Sequence, residues 1–207
     1  DEDADNITYT AQSDTSAVST FITGSVLTMT PVDNFNGTAT ISVTASDGTD
    51  DSGVETFVLT VTPVNDAPIL VSISDQTTAE DTPLTVSLSA TDVDGDLLTY
   101  SAVSNTEDID VLITGSELTL TPSSNFNGSG IINVTANDGT VSSNTVTFTI
   151  TVTSTNDAPV LASISDQTIA EDQSISVSLS ATDEDADNIT YTAQSDTSAV
   201  STFITGS

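Results

Sequence analysis

Apolar and polar residues alternate along much of the chain. Leu84, Val86, Leu88 and Ala90 take every second position against Thr85, Ser87, Ser89 and Thr91. Val146, Phe148, Ile150 and Val152 do the same against Thr147, Thr149 and Thr151. Leu118 and Leu120 flank Thr119, and Ile132, Val134 and Ala136 flank Asn133 and Thr135. A period of two sends successive side chains to opposite faces, so each run predicts a strand with one buried and one wet face. No segment keeps a helical period over three turns. Ser and Thr supply 69 of the 207 residues, and β-branched Thr suits the solvent face of a sheet. Between 65 and 155 the pattern predicts seven strands, A to G, at about 69–74, 84–91, 97–104, 111–114, 117–121, 130–137 and 145–153. Turn signals separate them, with Asp-Gly at 94–95 and 138–139 and Asn-Gly at 127–128. The prediction is an all-β fold of seven-stranded antiparallel sandwiches of immunoglobulin type. The Cys pair and core Trp of antibody domains are absent, and Tyr100 on strand C is expected to fill the Trp position.

The same alternation returns at a fixed spacing. NDAP recurs at Asn65 and Asn156, NFNG at Asn34 and Asn125, and AED at Ala79 and Ala170, each 91 residues apart. Residues 183–207 repeat 1–25 at all 25 positions, so two diverged 91-residue repeats make a 182-residue unit that itself recurs. A helix-free solenoid competes with the sandwich, but 91 residues are too many for one of its coils. The expected division is strands C to G of one repeat at 1–64, a complete repeat at 65–155, and strands A to D of a further repeat at 156–207. In that topology the B–C and F–G turns share the end where the chain enters and the A–B turn lies at the exit. The repeats are therefore expected to stack end to end, and the chain reads as a window of a longer array. It has no basic leader and no apolar run long enough for a signal peptide or a membrane span.

Charge narrows the chemistry sharply. The chain has 31 acidic residues and no Lys, Arg, His or Cys, for a net charge of −31. There is no thiol nucleophile, imidazole base, Schiff-base amine or phosphate-holding cation. Nucleic-acid binding is excluded, because its affinity comes from Lys and Arg on phosphates. Docking on anionic membranes is disfavoured for the same reason. Paired carboxylates can hydrolyse glycosides, but aromatics are only 4% of the chain and Trp is absent, which leaves no sugar-stacking cleft. No enzyme is expected.

The acids gather at particular turns. Asp92, Asp94 and Asp96 form D-x-D-x-D in the B–C loop, repeated at Asp183, Asp185 and Asp187 and at Asp1, Asp3 and Asp5. Asp138 stands in the F–G loop, with Asp47 as its counterpart. Asn65-Asp66 and Asn156-Asp157 form the linkers, and Glu80-Asp81 and Glu171-Asp172 the A–B turns. The predicted topology brings the turn of one repeat, the linker and the top loops of the next together. Like charges a few ångströms apart raise each other's pKa or push apart, and no basic side chain is present to neutralise them. A divalent cation is the remaining neutraliser. Ca²⁺ accepts roughly 6–8 oxygens in irregular geometry, whereas Mg²⁺ demands an octahedron, and Zn²⁺ and copper prefer His or Cys. The motif is no EF-hand, since Gly95 comes at its fourth position without flanking helices. NFNG reads as a structural turn, with Gly at a positive φ and Phe126 closing the end of the sandwich.

VNDAPIL at 64–70, AED at 79–81, ATDVDGDLLTY at 90–100 and ANDGT at 136–140 resemble cadherin repeats, in particular the bacterial cadherin-like tandem repeats of giant surface adhesins. The resemblance implies Ca²⁺ held by Asn65, Asp66, Asp92, Asp94 and Asp138 at one junction and by Glu80, Asn156, Asp157, Asp183 and Asp185 at the next. Asp81, Asp96 and Asp187 join the candidates as acids of the same turns. The acidic motif of the cadherin E–F loop is replaced here by Asp33-Asn34-Phe35-Asn36-Gly37 and Ser124-Asn125-Phe126-Asn127-Gly128, which implies one or two ions per junction rather than three. The implied function is a calcium-stiffened extender in a secreted, cell-surface adhesin, with neighbouring repeats as its partners. The alternative is a repeat subunit of an extracellular filament, sheath or surface layer, partnered by other copies of itself.

Overall fold

The computed structural model describes residues 6–205. Asp1, Asp3 and Asp5, the first copy of the triple-Asp motif, lie outside them. Among the described residues every regular element is a strand. The chain packs as two compact units, one made of Asp1–Pro68, Thr91–Leu97 and Asp138–Ser142, the other of Ile69–Ala90, Leu98–Asn137 and Ser143–Ser207.

The first unit holds β1 (Thr8–Ser13), β2 (Val18–Thr23), β3 (Val26–Pro31), β4 (Gly37–Ser46) and β5 (Glu55–Val61). β4 lies between β1 and β5 and is antiparallel to both, while β2 and β3 form a separate hairpin. β3 and β5 are each an edge. Its buried core cluster is Val18, Ala39 and Ile41, with Leu27, Met29, Phe35, Val43 and Leu59 packed around them.

The second unit carries the larger core. Its strands are β6 (Ile69–Leu70), β7 (Gln76–Ala79), β8 (Leu84–Ser87), β10 (Thr99–Ser104), β11 (Ile109–Thr114), β12 (Glu117–Pro122), β13 (Gly128–Asn137) and β14 (Val146–Thr153), with β9 (Ala90–Thr91) at its margin. They build one sheet in the order β10-β13-β14-β7 and another in the order β11-β12-β8. The alternation works as the sequence implies: Ile132, Val134 and Ala136 on β13 and Phe148, Ile150 and Val152 on β14 are buried with Leu118 and Leu120 on β12. Each such side chain contributes about 1.5–3 kcal/mol by leaving water. Tyr100 on β10 packs against this core, at the position expected of it.

Three features go beyond period two. Strand A, expected at about 69–74, breaks off after β6, and β7, a strand the alternation did not predict, follows and runs parallel to β14, pairing Ile150 with Gln76 and Val152 with Thr78. At the break Asp75 turns its carboxylate to accept from Thr149 N at 2.7 Å, so the chain changes partner there. Strand B divides into β8 and β9; between them Leu88 N donates to Ser116 O and Val71 N to Ser89 O. The third difference concerns 156–205, where strands A to D are expected. Only β15 (Val160–Leu161) and β16 (Ala181–Thr182) form, paired with each other. Residues 167–170 and 175–178, which match β7 and β8, make no strand pairing among the described residues. Alternation alone does not make a strand when its backbone groups lack a partner.

The NFNG turn shows why its last residue is Gly. Gly128 has φ +155, and a Cβ there would stand 3.0 Å from Phe126 Cζ. Asn125 precedes it in the left-handed region at φ 57, as Asn34 does at φ 60 in the first copy. Phe126 folds onto the core as a partly buried plug.

Candidate metal centre

In the first unit the triple-Asp loop folds around Asp92. Its Oδ1 accepts from Asp94 N at 2.9 Å and from Asp96 N at 3.2 Å. This local turn draws the three carboxylates together, and ligand oxygens of Asp92, Asp94 and Asp96 all lie within 4.8 Å of one another. Asp92 Oδ2 is buried and has no hydrogen-bond partner. A buried carboxylate oxygen left unmatched is costly, and the chain has no Lys, Arg or His to match it. The donor set is all hard oxygen, which suits Ca²⁺.

The linker is tied to the same loops. Asp94 Oδ2 accepts from Asp66 N at 2.8 Å. Asn65 Nδ2 donates to Asp138 Oδ2 at 2.8 Å and to Asp66 O at 3.2 Å. Because Asn65 donates through its nitrogen, Oδ1 is the atom it can offer a cation. Asp138 Oδ1 in turn accepts from Val141 N and Thr140 N, each at 2.6 Å. Donation from Val141 N, Asn65 and Thr140 N holds the Asp138 carboxyl below the ordinary carboxylate range. Its counterpart Asp47 is held low the same way, by Asp50 N and Thr49 N.

The second unit repeats the linker-to-loop bonds, while among the described residues only Asp92, Asp94 and Asp96 bring three carboxylates that close together. Asp157 N donates to Asp185 Oδ2 at 2.6 Å, Asn156 Nδ2 to Asp157 O at 2.8 Å, and Asp187 N to Asp183 Oδ1 at 3.0 Å. These repeat the bonds of Asp66, Asn65 and Asp96, with every residue 91 further on. Glu80 is only 5% exposed, and its Oε1 accepts from Thr155 N. Burial pushes the Asp157 carboxyl above the ordinary range, and the charges of Asp185, Glu80, Asp81 and Glu184 push the same way. Thus Asp157 feels the charges of Asp185, Glu80 and Asp81 within this unit.

Asp81 has a second task. At φ 54 it turns its Oδ1 to accept from Asn125 N at 3.2 Å, which ties the A–B turn to the NFNG turn. The sequence also undervalued Asn34 and Asn36. They line a cavity of about 250 Å³ in the first unit together with Phe35, Asp66 and Asp94. The only sequence signal for them was the NFNG motif, which reads equally well as a plain turn.

Residues 65–151 match a protein family described as "Bacterial Ig domain". No curated protein matches the sequence. Among solved structures, human CDH23 EC21-23 superposes with a TM-score of 0.51 at 17% identity, covering 88% of this chain and 70% of that one. Human mucin-like protocadherin EC1-2 gives a TM-score of 0.45 at 19% identity, covering 72% of this chain and 85% of that one. The CDH23 likeness establishes the fold and nothing more. Among the described residues no helix is long and apolar enough to cross a membrane. The chain has an all-β, cadherin-like fold, and its residues 65–151 are similar to the bacterial Ig domain family.

Proposed function

We propose that the chain is an extender segment of a secreted bacterial surface adhesin, made stiff by Ca²⁺ at the linkers between repeats. The observation that carries this reading is the buried, unpartnered Asp92 Oδ2 beside Asp94 and Asp96, in a chain with no basic side chain at all. Asp92, Asp94, Asp96, Asp66, Asn65 and Asp138 would hold an ion in the first unit. Glu80, Asp81, Asn156, Asp157, Asp183, Asp185 and Asp187 would do so in the second. The ion supplies positive charge and replaces the missing hydrogen-bond partners. The chain's own residues set the site: backbone donation from Asp94, Asp96 and Asp66 orients the carboxylates, and Asn65 fastens the linker to Asp138. Extracellular calcium modules typically bind at about 10⁻⁴–10⁻³ M, so the linkers would stiffen outside the cell and slacken where calcium is scarce.

Small-angle X-ray scattering of the dilute chain tests this. Its maximum dimension should lengthen with millimolar Ca²⁺ and shorten in EGTA, and Asp94→Ala should blunt that response with the β-sheet circular dichroism unchanged. A dimension that ignores Ca²⁺ refutes the extender reading. A second reading, a subunit of a filament, sheath or surface layer, is favoured by the 182-residue repeat, which offers a translational unit; there the particle would grow with concentration rather than lengthen with metal.

A further inference from the structure

In the complete repeat the A–B turn, Glu80-Asp81, is fastened in two directions. Toward the linker, Glu80 N donates to Thr153 O at 2.9 Å, and the buried Glu80 carboxylate accepts from Thr155 N. Toward the NFNG turn, Asp81 Oδ1 accepts from Asn125 N at 3.2 Å. The residue after Asn125 is Phe126, which packs against the core. The contacts therefore run without a gap from the core through the NFNG turn, Asp81 and Glu80 to Thr155, the residue before Asn156.

Asp81 and Asn125 also carry the backbone shape that lets these turns meet. Both are left-handed, at φ 54 and φ 57, a region that Asp and Asn enter more readily than most residues with a side chain. Their counterparts 91 residues away hold the same shape, Asp172 at φ 63 and Asn34 at φ 60. Each turn is thus preformed by its own sequence, and the Asp81–Asn125 bond joins one to the other. The two adjacent acids have different surroundings, since Asp81 is exposed while Glu80 is buried.

We propose that Asp81 is a positioning residue for the calcium site of the second unit: its bond to Asn125 N sets where the Glu80 carboxylate stands. Among the acids named above for that ion, Glu80 would touch it and Asp81 would act through Glu80. The inference rests on the calcium reading and adds a division of labour to it. What calcium binding requires at position 81 is a left-handed residue with an acceptor oxygen, not a negative charge. Asn meets both conditions, since its amide oxygen accepts as a carboxylate oxygen does. Gly meets only the first, and Ala meets neither.

The full chain carrying Asp94→Ala, which cripples the site of the first unit, isolates the second for titration calorimetry with Ca²⁺. In that parent, Asp81→Ala and Asp81→Gly should each weaken binding about tenfold or more, the range for loss of an outer-shell partner. Asp81→Asn should stay within about threefold of the parent, below that range. Glu80→Gln, which removes a ligand charge, should lose at least as much as Asp81→Ala. Amide hydrogen exchange in EGTA gives a readout without metal. There the Asn125 and Thr155 N–H groups should exchange several-fold faster in the Ala and Gly variants and at the parent rate in the Asn variant. Weakening by Asp81→Asn equal to that by Asp81→Ala, or parental binding in Asp81→Gly, overturns the positioning role. If the parent and the wild type bind no Ca²⁺, the extender reading falls; the exchange rates still decide whether Asp81 holds Glu80 in place, and unchanged rates would remove that as well.

Discussion

At the scale of single residues, the chain shows how backbone constraints and charge placement divide the work. Gly128 is fixed by sterics: its φ of +155 and the Phe126 ring 3.0 Å from a would-be Cβ leave no room for a side chain. Gly128→Ala should cost more than about 1 kcal/mol, the range for alanine forced into a positive φ, and urea unfolding would measure it. Asp157 is the converse case, a residue whose identity costs the metal-free protein stability. Its carboxyl is pushed up by burial and then by Asp185, Glu80, Asp81 and Glu184. A raised folded pKa means the folded state favours the proton. The stability contributed by that proton is present below the unfolded carboxylate range, about pH 3.9, and is lost as pH rises through the folded value. In EGTA at neutral pH, Asp157→Asn should therefore melt higher than the wild type, and with Ca²⁺ its gain should be smaller. Thermal melts in both buffers check the two signs together. Asp92 and Asp157 were both legible as candidates from D-x-D-x-D and NDAP. What the sequence did not disclose was that one oxygen of Asp92 ends up buried without a partner, because that depends on how the loop closes over it.

At the scale of elements, period two predicted where strands lie but not what each strand pairs with. The predicted C, D, E, F and G strands of the complete repeat appear as β10, β11, β12, β13 and β14, each within a few residues of its expected bounds. Strand A was legible only as far as about 74, so β7 beyond Asp75 went unpredicted, and strand B, expected whole at 84–91, divides at Leu88. Alternation reports which face is buried and is silent on the neighbouring strand. The segment after Asn156 makes the same point more strongly, since its pattern equals that of 65–91 and its strands are reduced to β15 and β16. The reach of an element's core also sets its sensitivity to mutation. Ile132 on β13 is fully buried in the cluster that spans both sheets of the complete repeat. Ile132→Ala should cost about 2–5 kcal/mol by lost burial and a residual cavity, read as a lowered midpoint in denaturant.

At the scale of the whole molecule, the decisive property is a charge of −31 with nothing of opposite sign. A protein can tolerate such self-repulsion at dispersed surface positions, where salt screens it within about 8–10 Å. It tolerates it poorly where carboxylates are drawn together by their own backbone bonds, as Asp92, Asp94 and Asp96 are. Calcium at those turns would neutralise carboxylates that no basic side chain of the chain can pair, and a ligand that binds only the folded state raises the melting temperature. Differential scanning calorimetry with millimolar Ca²⁺ and again with excess EGTA tests this claim directly. The account predicts a melting temperature several degrees higher with Ca²⁺ than with EGTA; the same temperature in both buffers would contradict it.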